Sequence, residues 1–569
     1  MKNKFSLALV ALIILALSLP VFVFAQGSAG TSTTGKSGAP TSGTNRRPRA
    51  RTPGAATTAV EQDFSEALSV IQEHYIDGNK LDFNSVYKSS IIGMLRSLDP
   101  HSNYFDKEEF DEMKTDQRSE YFGIGASIQN FSIGDQVETY ISATFQNSPA
   151  ARAGLRFGDR INEVDGIPMH GKSSAEVRDK IRGPRDTQVK LNITRAASGK
   201  TELVAIIRAA VPQPSVPDAY MIRPGVGYID MTRGFNYDTY EGLQAALDFL
   251  HARGMTSLVL DLRNNPGGFL EQAIRVADAF LPSDVLILTQ KGRNGANDRT
   301  YTSSNRNPDR TPLVILVNEF TASASEIVAG AMQDHDRALI VGQTSFGKGL
   351  VQSIIPLDYG AGLTLTSAKY YTPSGRLIQR DYSDGGFYNY IYRGGTLRDN
   401  NGIKPNGPAS HTDTGRPVYG GGGITPDEQV KQAPVTTPQL RLRDPNFFFA
   451  RELATGRVPG FEKYKVDRPI EFGHDLEAND FPITDALFAA FKDYVAKDAN
   501  WKTFTPQVDR NRSFIETQLR FSLATAAYGT VSALQVVMKE DQQVAKAVEV
   551  VPRARDLARA AMRARLAQP

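Results

Sequence analysis

Between about residues 225 and 376 this chain alternates short apolar runs with longer stretches of helical period, and no other feature limits its possible folds so strongly. The runs at 226–231, 258–262, 285–288 and 314–317 have the length of strands. The segments at 240–252, 271–280 and 326–333 space their apolar residues as helices do. Alternation of this kind defines an α/β core.

Two of the strand ends carry chemistry. The run at 314–317 leads through Thr321-Ala322-Ser323-Ala324-Ser325-Glu326 into a helix, so Ser323 falls at a strand-to-helix turn among small neighbours that leave its hydroxyl approachable. The N–H of Ala324 is one of the donors that a helix start leaves without an intrahelical partner, and such a donor suits a developing oxyanion. A serine hydroxyl also needs a base within hydrogen-bond reach. Lys348, in Ser345-Phe346-Gly347-Lys348-Gly349, is the candidate, because burial disfavours an ammonium and leaves the amine able to accept a proton. If the chain is extended here, side chains at 348, 350 and 352 share one face, and Gln352 is placed to orient the lysine. Taken singly, each residue has a plainer reading: a serine before a helix is an ordinary N-cap, Glu326 completes a capping box, and a lysine between glycines is an ordinary turn residue. The second block, Asp261-Leu262-Arg263-Asn264-Asn265-Pro266-Gly267-Gly268, ends a strand in a turn whose glycines let backbone approach a ligand. Gly267 or Gly268 is a second candidate oxyanion donor.

These blocks, with Asn318, Asp334, Gly342 and Val351-Gln352, resemble the active-site segments of the C-terminal processing peptidases, also called tail-specific proteases. The resemblance implies acyl transfer with Ser323 as nucleophile, Lys348 as general base and Gln352 positioning the lysine; Ser325 is the runner-up nucleophile. It also implies an oxyanion site built from the amides of Ala324 and one of Gly267 and Gly268, supporting roles for Glu326 and Asp334, and a crotonase-like core.

Upstream, Tyr121-Phe122-Gly123-Ile124-Gly125 leads into a strand. Ser148-Pro149-Ala150, Gly158-Asp159-Arg160-Ile161, a helix at 174–181 and a strand at 189–194 follow, and the ordered set resembles a PDZ domain. That module pairs an extended peptide with a sheet edge and holds its terminal carboxylate on loop amides. The resemblance gives the carboxylate loop to Phe122, Gly123, Ile124 and Gly125, and makes protein C-terminal tails the expected partner. Arg195, at the end of the last expected strand of this domain, is a candidate link between tail binding and the core. The competing readings are a PDZ-type adaptor or scaffold with an inactive core, and a crotonase-like core acting on a small thioester. Intact Ser323, Lys348 and Gln352 oppose the first, and the PDZ module opposes the second.

The expected organisation is a multidomain α/β chain: a signal peptide at 1–25, a linker at 26–58 and a helical region at 59–117. A PDZ domain at 118–198 follows, then a protease core at 199–434 with an insertion at 380–422, and a mostly helical extension at 435–569. Lys2 and Lys4 precede an apolar run ending in Val23-Phe24-Ala25, the pattern of an export signal cut after Ala25. At about 20 residues the run is also long enough to stay as a membrane anchor. The destination is then the periplasm or cell envelope. Residues 26–58 lack the apolar content of a core, and their Arg46, Arg47, Arg49 and Arg51 are either solvated or in touch with acidic lipid headgroups. A formal charge of +3 gives no sign of a nucleic-acid binder. No cysteine is present, which excludes a thiol protease, and no metal-ligand spacing or other cofactor motif occurs. His101, beside Asp99-Pro100, reads as a turn residue rather than a triad member. In the extension, helices at 511–539 and 543–567 show an apolar face of Leu519, Leu523, Tyr528, Leu534 and Val537, which either packs on the core or serves a homo-oligomer. An activating adaptor is a further candidate partner.

Overall fold

The computed structural model describes residues 55–116, 120–295, 297–383, 390, 407 and 409–567. The export signal, the arginine cluster and part of the 380–422 insertion lie outside them. The chain forms two compact units, one holding 111–351 and 367 onward, the other running up to Phe110 and taking in residues 352–366.

The first unit is built on a six-stranded sheet, in the order Ala219–Arg223, Val226–Asp230, Ser257–Asp261, Leu313–Val317, Ala338–Gly342 and Glu428–Gln429. Only the first pair is antiparallel; the other four are parallel. A parallel sheet must be covered on both faces, and the side-chain period of two shows how. Leu258, Leu260, Leu313, Ile315, Ala338 and Ile340 point into a core with the helices Thr239–Ala252, Leu270–Asp278 and Ala324–Asp334. Val259, Val314, Leu316, Leu339 and Val341 point the other way, onto Val544, Ala547, Val551 and Ala554 of the C-terminal helices Gln542–Glu549 and Val551–Leu566. The extension is therefore the third layer of the core.

The same unit contains an antiparallel sheet in the order Ala126–Ile133, Gln136–Thr144, Arg160–Val164, Gln188–Thr194 and Thr201–Ile207, with the helix Ser174–Ile181 packed on it through Val177 and Ile181. This sheet runs past the expected boundary at 198, because all seven residues of Thr201–Ile207 pair with Gln188–Thr194. Arg195 thus lies in a hairpin turn rather than at the end of the last strand. Its described partners, Gly154 O (2.7 Å), Asp159 (2.9 Å) and Glu202, all belong to this domain.

The extension also grips this small sheet. Phe447, on the helix Thr437–Ala454, stacks on Phe131 at 3.6 Å between ring centroids, and Tyr140 and Phe157 meet it edge-on. Arg451 Nε donates to Gly158 O (2.8 Å), and Arg457 donates to Ala196 O (2.6 Å). Within the extension, Leu519, Leu523 and Tyr528 are buried as expected, whereas Leu534 and Val537 are only partly covered. The helix Arg512–Glu540 breaks its helical dihedrals at Gly529 (φ 83°, ψ 169°), which turns Ala533 and Val536 inward instead. Among the described residues one helical stretch, Lys502–Glu540, is long and apolar enough to cross a membrane, and it is largely buried in these cores.

In the second unit the helices Ala55–His74 and Phe83–Arg96 precede the strand Asn103–Phe105, which pairs with residues 362–364. The first helix begins at Ala55, inside the expected linker, since Ala55-Ala56 after Pro53-Gly54 are strong helix formers. The periodic residues Phe64, Ile71 and Tyr75 remain exposed. Asp99 caps the turn that holds His101, accepting from the N–H groups of His101 and Ser102, both at 2.8 Å.

Candidate active site

Ser323 occupies the turn between the strand Leu313–Val317 and the helix Ala324–Asp334, with φ 57° and ψ −116°. A residue with a side chain adopts that backbone only when its neighbours enforce it. The turn is stitched to the 261–268 block: Ala322 N–H donates to Asn265 O (3.0 Å), Thr321 Oγ1 to Leu262 O (2.8 Å), and Asn318 Nδ2 to Asn264 Oδ1 (2.8 Å). Ser325 is spent in the same seam, its hydroxyl donating to Asn265 O (3.1 Å) at zero exposure, so Ser323 is the better placed of the two serines. All eleven residues of the helix Ala324–Asp334 are buried, which explains its run of small side chains; a Cβ on Gly330 would come within 3.1 Å of Ile424 and Thr372.

The loop carrying Lys348 reaches the same point. Glu326, fully buried, accepts from Ser323 N–H (2.8 Å) and Lys348 N–H (2.8 Å) on one carboxylate oxygen, and from Gly347 N–H (2.7 Å) and the Ser345 hydroxyl on the other. Phe346 N–H adds a bond to Thr321 O (2.9 Å). One side chain thus holds the backbones of Ser323 and Lys348 together. Burial raises the Glu326 carboxyl above its ordinary range, and its hydrogen-bond donors pull it back. Ser323 and Lys348 are both almost excluded from solvent, at 3% and 5% exposure.

Lys348 lies in the loop before the strand Leu350–Pro356, not on it, because its N–H is drawn to Glu326 rather than to a ladder. The expected common face therefore covers 350 and 352 only. Gln352 is buried on that strand and belongs to the second unit. Gly267 (φ 94°) abuts the serine turn so closely that a Cβ would sit 2.7–2.8 Å from Ala322 O, Ala324 N and Ser323 Cβ. Its N–H donates to Asn265 Oδ1 (2.9 Å). Gly268 (φ 148°) packs on Phe235, whose carbonyl would lie 2.1 Å from a Cβ there. Asp334 pairs with Arg376 and accepts from the Ser374 hydroxyl (2.7 Å), at a distance along the helix from Ser323 that fits a supporting role.

The insertion is docked rather than loose where it is described. Tyr390 meets Phe346 edge-on at 5.6 Å, and a hairpin of Ala409–His411 and Pro417–Tyr419 is anchored by Arg416 to Asp336 (2.6 Å).

Flanking the small sheet in sequence, strand Glu120–Gly123 pairs with Ala209–Pro212 in a separate two-stranded sheet, and Ile124 and Gly125 turn their carbonyls to Ala150 N–H (2.7 Å) and Phe145 N–H (3.0 Å). Gly125 (φ 73°) has no room for a Cβ, which would meet Ser148 at 2.3 Å. Tyr121 lies against Gly123 and under the Arg182 guanidinium (5.3 Å), and burial pushes its hydroxyl up to about 12.

Reading single motifs missed Tyr370, whose hydroxyl contacts both Ser323 O (3.1 Å) and Lys348 O (2.9 Å). A tyrosine inside Ala368-Lys369-Tyr370-Tyr371 carries no local signal of that role.

A serine in an enforced turn packed against a glycine turn, tied through one carboxylate to a buried lysine, defines a serine-type peptidase. Residues 225–385 match the model of peptidase family S41, and residues 141–195 match the PDZ domain model. Over 302 residues the chain is 39% identical to the carboxy-terminal-processing protease of Bartonella bacilliformis, covering 52% of this chain and 68% of that protein. Over 308 residues it is 36% identical to the carboxyl-terminal-processing protease of a Synechocystis species, covering 53% and 71%. The solved photosystem II D1 C-terminal processing protease is 27% identical, covering 65% of this chain and 92% of its own, with a TM-score of 0.34. The chain belongs to peptidase family S41, with the carboxy-terminal-processing proteases.

Proposed function

We propose that this serine peptidase is exported, selects proteins by their C-terminal tails, and cleaves them through Ser323 with Lys348 as base. The observation that carries the reading is the shared oxygen of Glu326, which accepts from the N–H groups of both residues. In the acylation step Ser323 Oγ attacks the scissile carbonyl and its proton passes to the neutral Lys348 amine. The carbonyl oxygen takes the charge and is met by the Ala324 N–H and a glycine amide from Gly267-Gly268. When the C–N bond breaks, Lys348 returns the proton to the leaving amine. Water then gives a proton to the same lysine and attacks the acyl carbonyl; the bond to Ser323 Oγ breaks, the acid leaves, and the lysine returns the proton to Ser323 Oγ.

Gln352 is assigned the orienting role by its position four residues after Lys348. Tail selection is assigned to the loop Phe122 to Gly125 and to strand addition beside it. Export to the periplasm or envelope rests on the apolar run after Lys2 and Lys4, and retention of that run would anchor the enzyme in the membrane. An activating adaptor and self-association remain further proposed partners.

The test is cleavage of an unfolded protein by wild type, Ser323→Ala and Lys348→Ala, each with the substrate tail free or amidated. The expected result is loss of cleavage in both variants and weaker cleavage of the amidated substrate by wild type. Cleavage by Ser323→Ala at the wild-type rate would overturn the assignment.

A further inference from the structure

We propose that Tyr370 is a positioning residue for the Ser323/Lys348 pair, fixing the direction of the lysine side chain through the lysine's own carbonyl. The inference deepens the proposed function and rests on it.

The geometry divides the work between two side chains. Glu326 holds the N–H of Ser323 and the N–H of Lys348 on a single oxygen. The Tyr370 hydroxyl lies between the carbonyls of the same two residues, 3.1 Å from Ser323 O and 2.9 Å from Lys348 O. Fixing the N–H plane and the C=O plane on either side of a Cα fixes φ and ψ there, and with them the direction of the Cα–Cβ bond. The hydroxyl has one proton for the two carbonyls, so Glu326 holds both residues on the N–H side while the C=O side of each depends on its share of that donor. The two carbonyls do not depend on the tyrosine equally. Ser323 O also accepts from Glu326 N–H (2.8 Å) and Ile327 N–H (3.0 Å) in the first turn of the helix, so the serine stays in place without Tyr370. Lys348 O meets the Tyr370 hydroxyl from a loop before the strand, outside any helical turn. The tyrosine therefore acts chiefly on the lysine, whose four-carbon arm turns a small rotation at Cα into a displacement of the amine of an ångström or more.

Tyr370 is itself rigidly held. It has zero exposure, sits on the strand Gly362–Tyr371 paired with Leu286–Gly292, and ties its own N–H to Gly349 O (3.0 Å), one residue beyond the lysine. Burial, reinforced by the charge of Glu326, keeps the hydroxyl protonated and so always a donor.

The experiment compares cleavage of fluorescein-labelled β-casein by wild type and by variants at 370, with the folded fraction measured by circular dichroism. Tyr370→Phe keeps the ring and removes the donor. It should lower kcat by roughly 30- to 100-fold with KM within about twofold, the effect of misplacing a catalytic group by about 1 Å. Replacing Tyr370 by 4-aminophenylalanine restores a donor at the same place and should regain at least about tenfold of the loss. Should the Phe variant be too unstable to assay, 4-fluorophenylalanine, close to tyrosine in size and unable to donate, takes its place against the 4-amino variant. A purely structural role predicts a lower melting temperature with kcat per folded molecule unchanged, and no rescue by the donor. That result, in a protein where Ser323→Ala and Lys348→Ala are both inactive, overturns the positioning role and leaves the Ser/Lys mechanism standing. Wild-type cleavage by Ser323→Ala or Lys348→Ala would instead remove the pair that Tyr370 is said to position.

Discussion

A positive φ at Ser323 costs on the order of 1–3 kcal/mol in a residue that carries a side chain, and the bonds around it show where that cost is met. Glu326 is the centre of them. Its two oxygens face four donors, and a carboxylate has acceptor sites for all four, whereas an amide would turn one N–H group toward other N–H groups. Glu326→Gln should therefore reduce cleavage of casein at least about 100-fold and lower stability by about 2–3 kcal/mol, read by activity and by urea melts. Gly267→Ala should likewise cut kcat by about 100-fold, because its Cβ would enter the space of Ser323 Cβ and Ala324 N. Ser323, Lys348 and the glycine turn were legible as residue patterns. The reach of Glu326 was legible only over three residues, as a capping box, because its bonds to 345, 347 and 348 depend on a crossover that no local spacing reveals.

At the scale of elements, the alternation of strands and helices was readable from apolar period, but not what covers the second face of the sheet. Val259, Val314, Leu316 and Val341 are as apolar as their neighbours, and nothing in a strand's own sequence says which helix will meet it. Polar ties at that seam give a testable pH dependence. Burial pushes the Asp218 carboxyl up to about 7; the Gln535 amide of the extension, which donates to it at 3.2 Å, opposes the shift, and Asp230 and Asp475 add to it. The folded protein keeps this proton up to about pH 7, while the unfolded chain releases it near 3.8, so the stability from Asp218 is fully present below about pH 4 and is lost as pH rises to 7. Asp218→Asn should remove that dependence and raise stability at pH 8 by on the order of 2 kcal/mol, with little change at pH 4, as measured by thermal melts across the range. The break at Gly529 was the other element that spacing did not reveal: a helical pattern continues through it, and only the dihedral shift moves the buried face from Leu534 and Val537 to Ala533 and Val536.

For the whole molecule, the extension joins the PDZ domain and the central sheet into one body. Its helix Thr437–Ala454 packs on Phe131 and Tyr140, and its last two helices close the core. Between them Arg263, itself on the glycine-turn block, donates to Asp541 (2.7 Å) and Gln543 (2.9 Å). Phe447→Ala removes the ring that stacks on Phe131 and should cost about 3–5 kcal/mol, with faster amide exchange in the strands Ala126–Ile133 and Gln136–Thr144 as the local readout. A chain ending at 434 should be insoluble rather than an independent protease, since it would bare the apolar face of the sheet.

That third layer also sets a clock. A ribosome adds roughly 5–20 residues per second, and the helix Val551–Leu566 leaves it about 200 residues after Lys348, some tens of seconds later. Throughout that interval the serine turn and the lysine loop already exist as sequence while the sheet beneath them has one bare face. The serine turn and the lysine loop are thus complete as sequence well before the helix that covers the second face of their sheet.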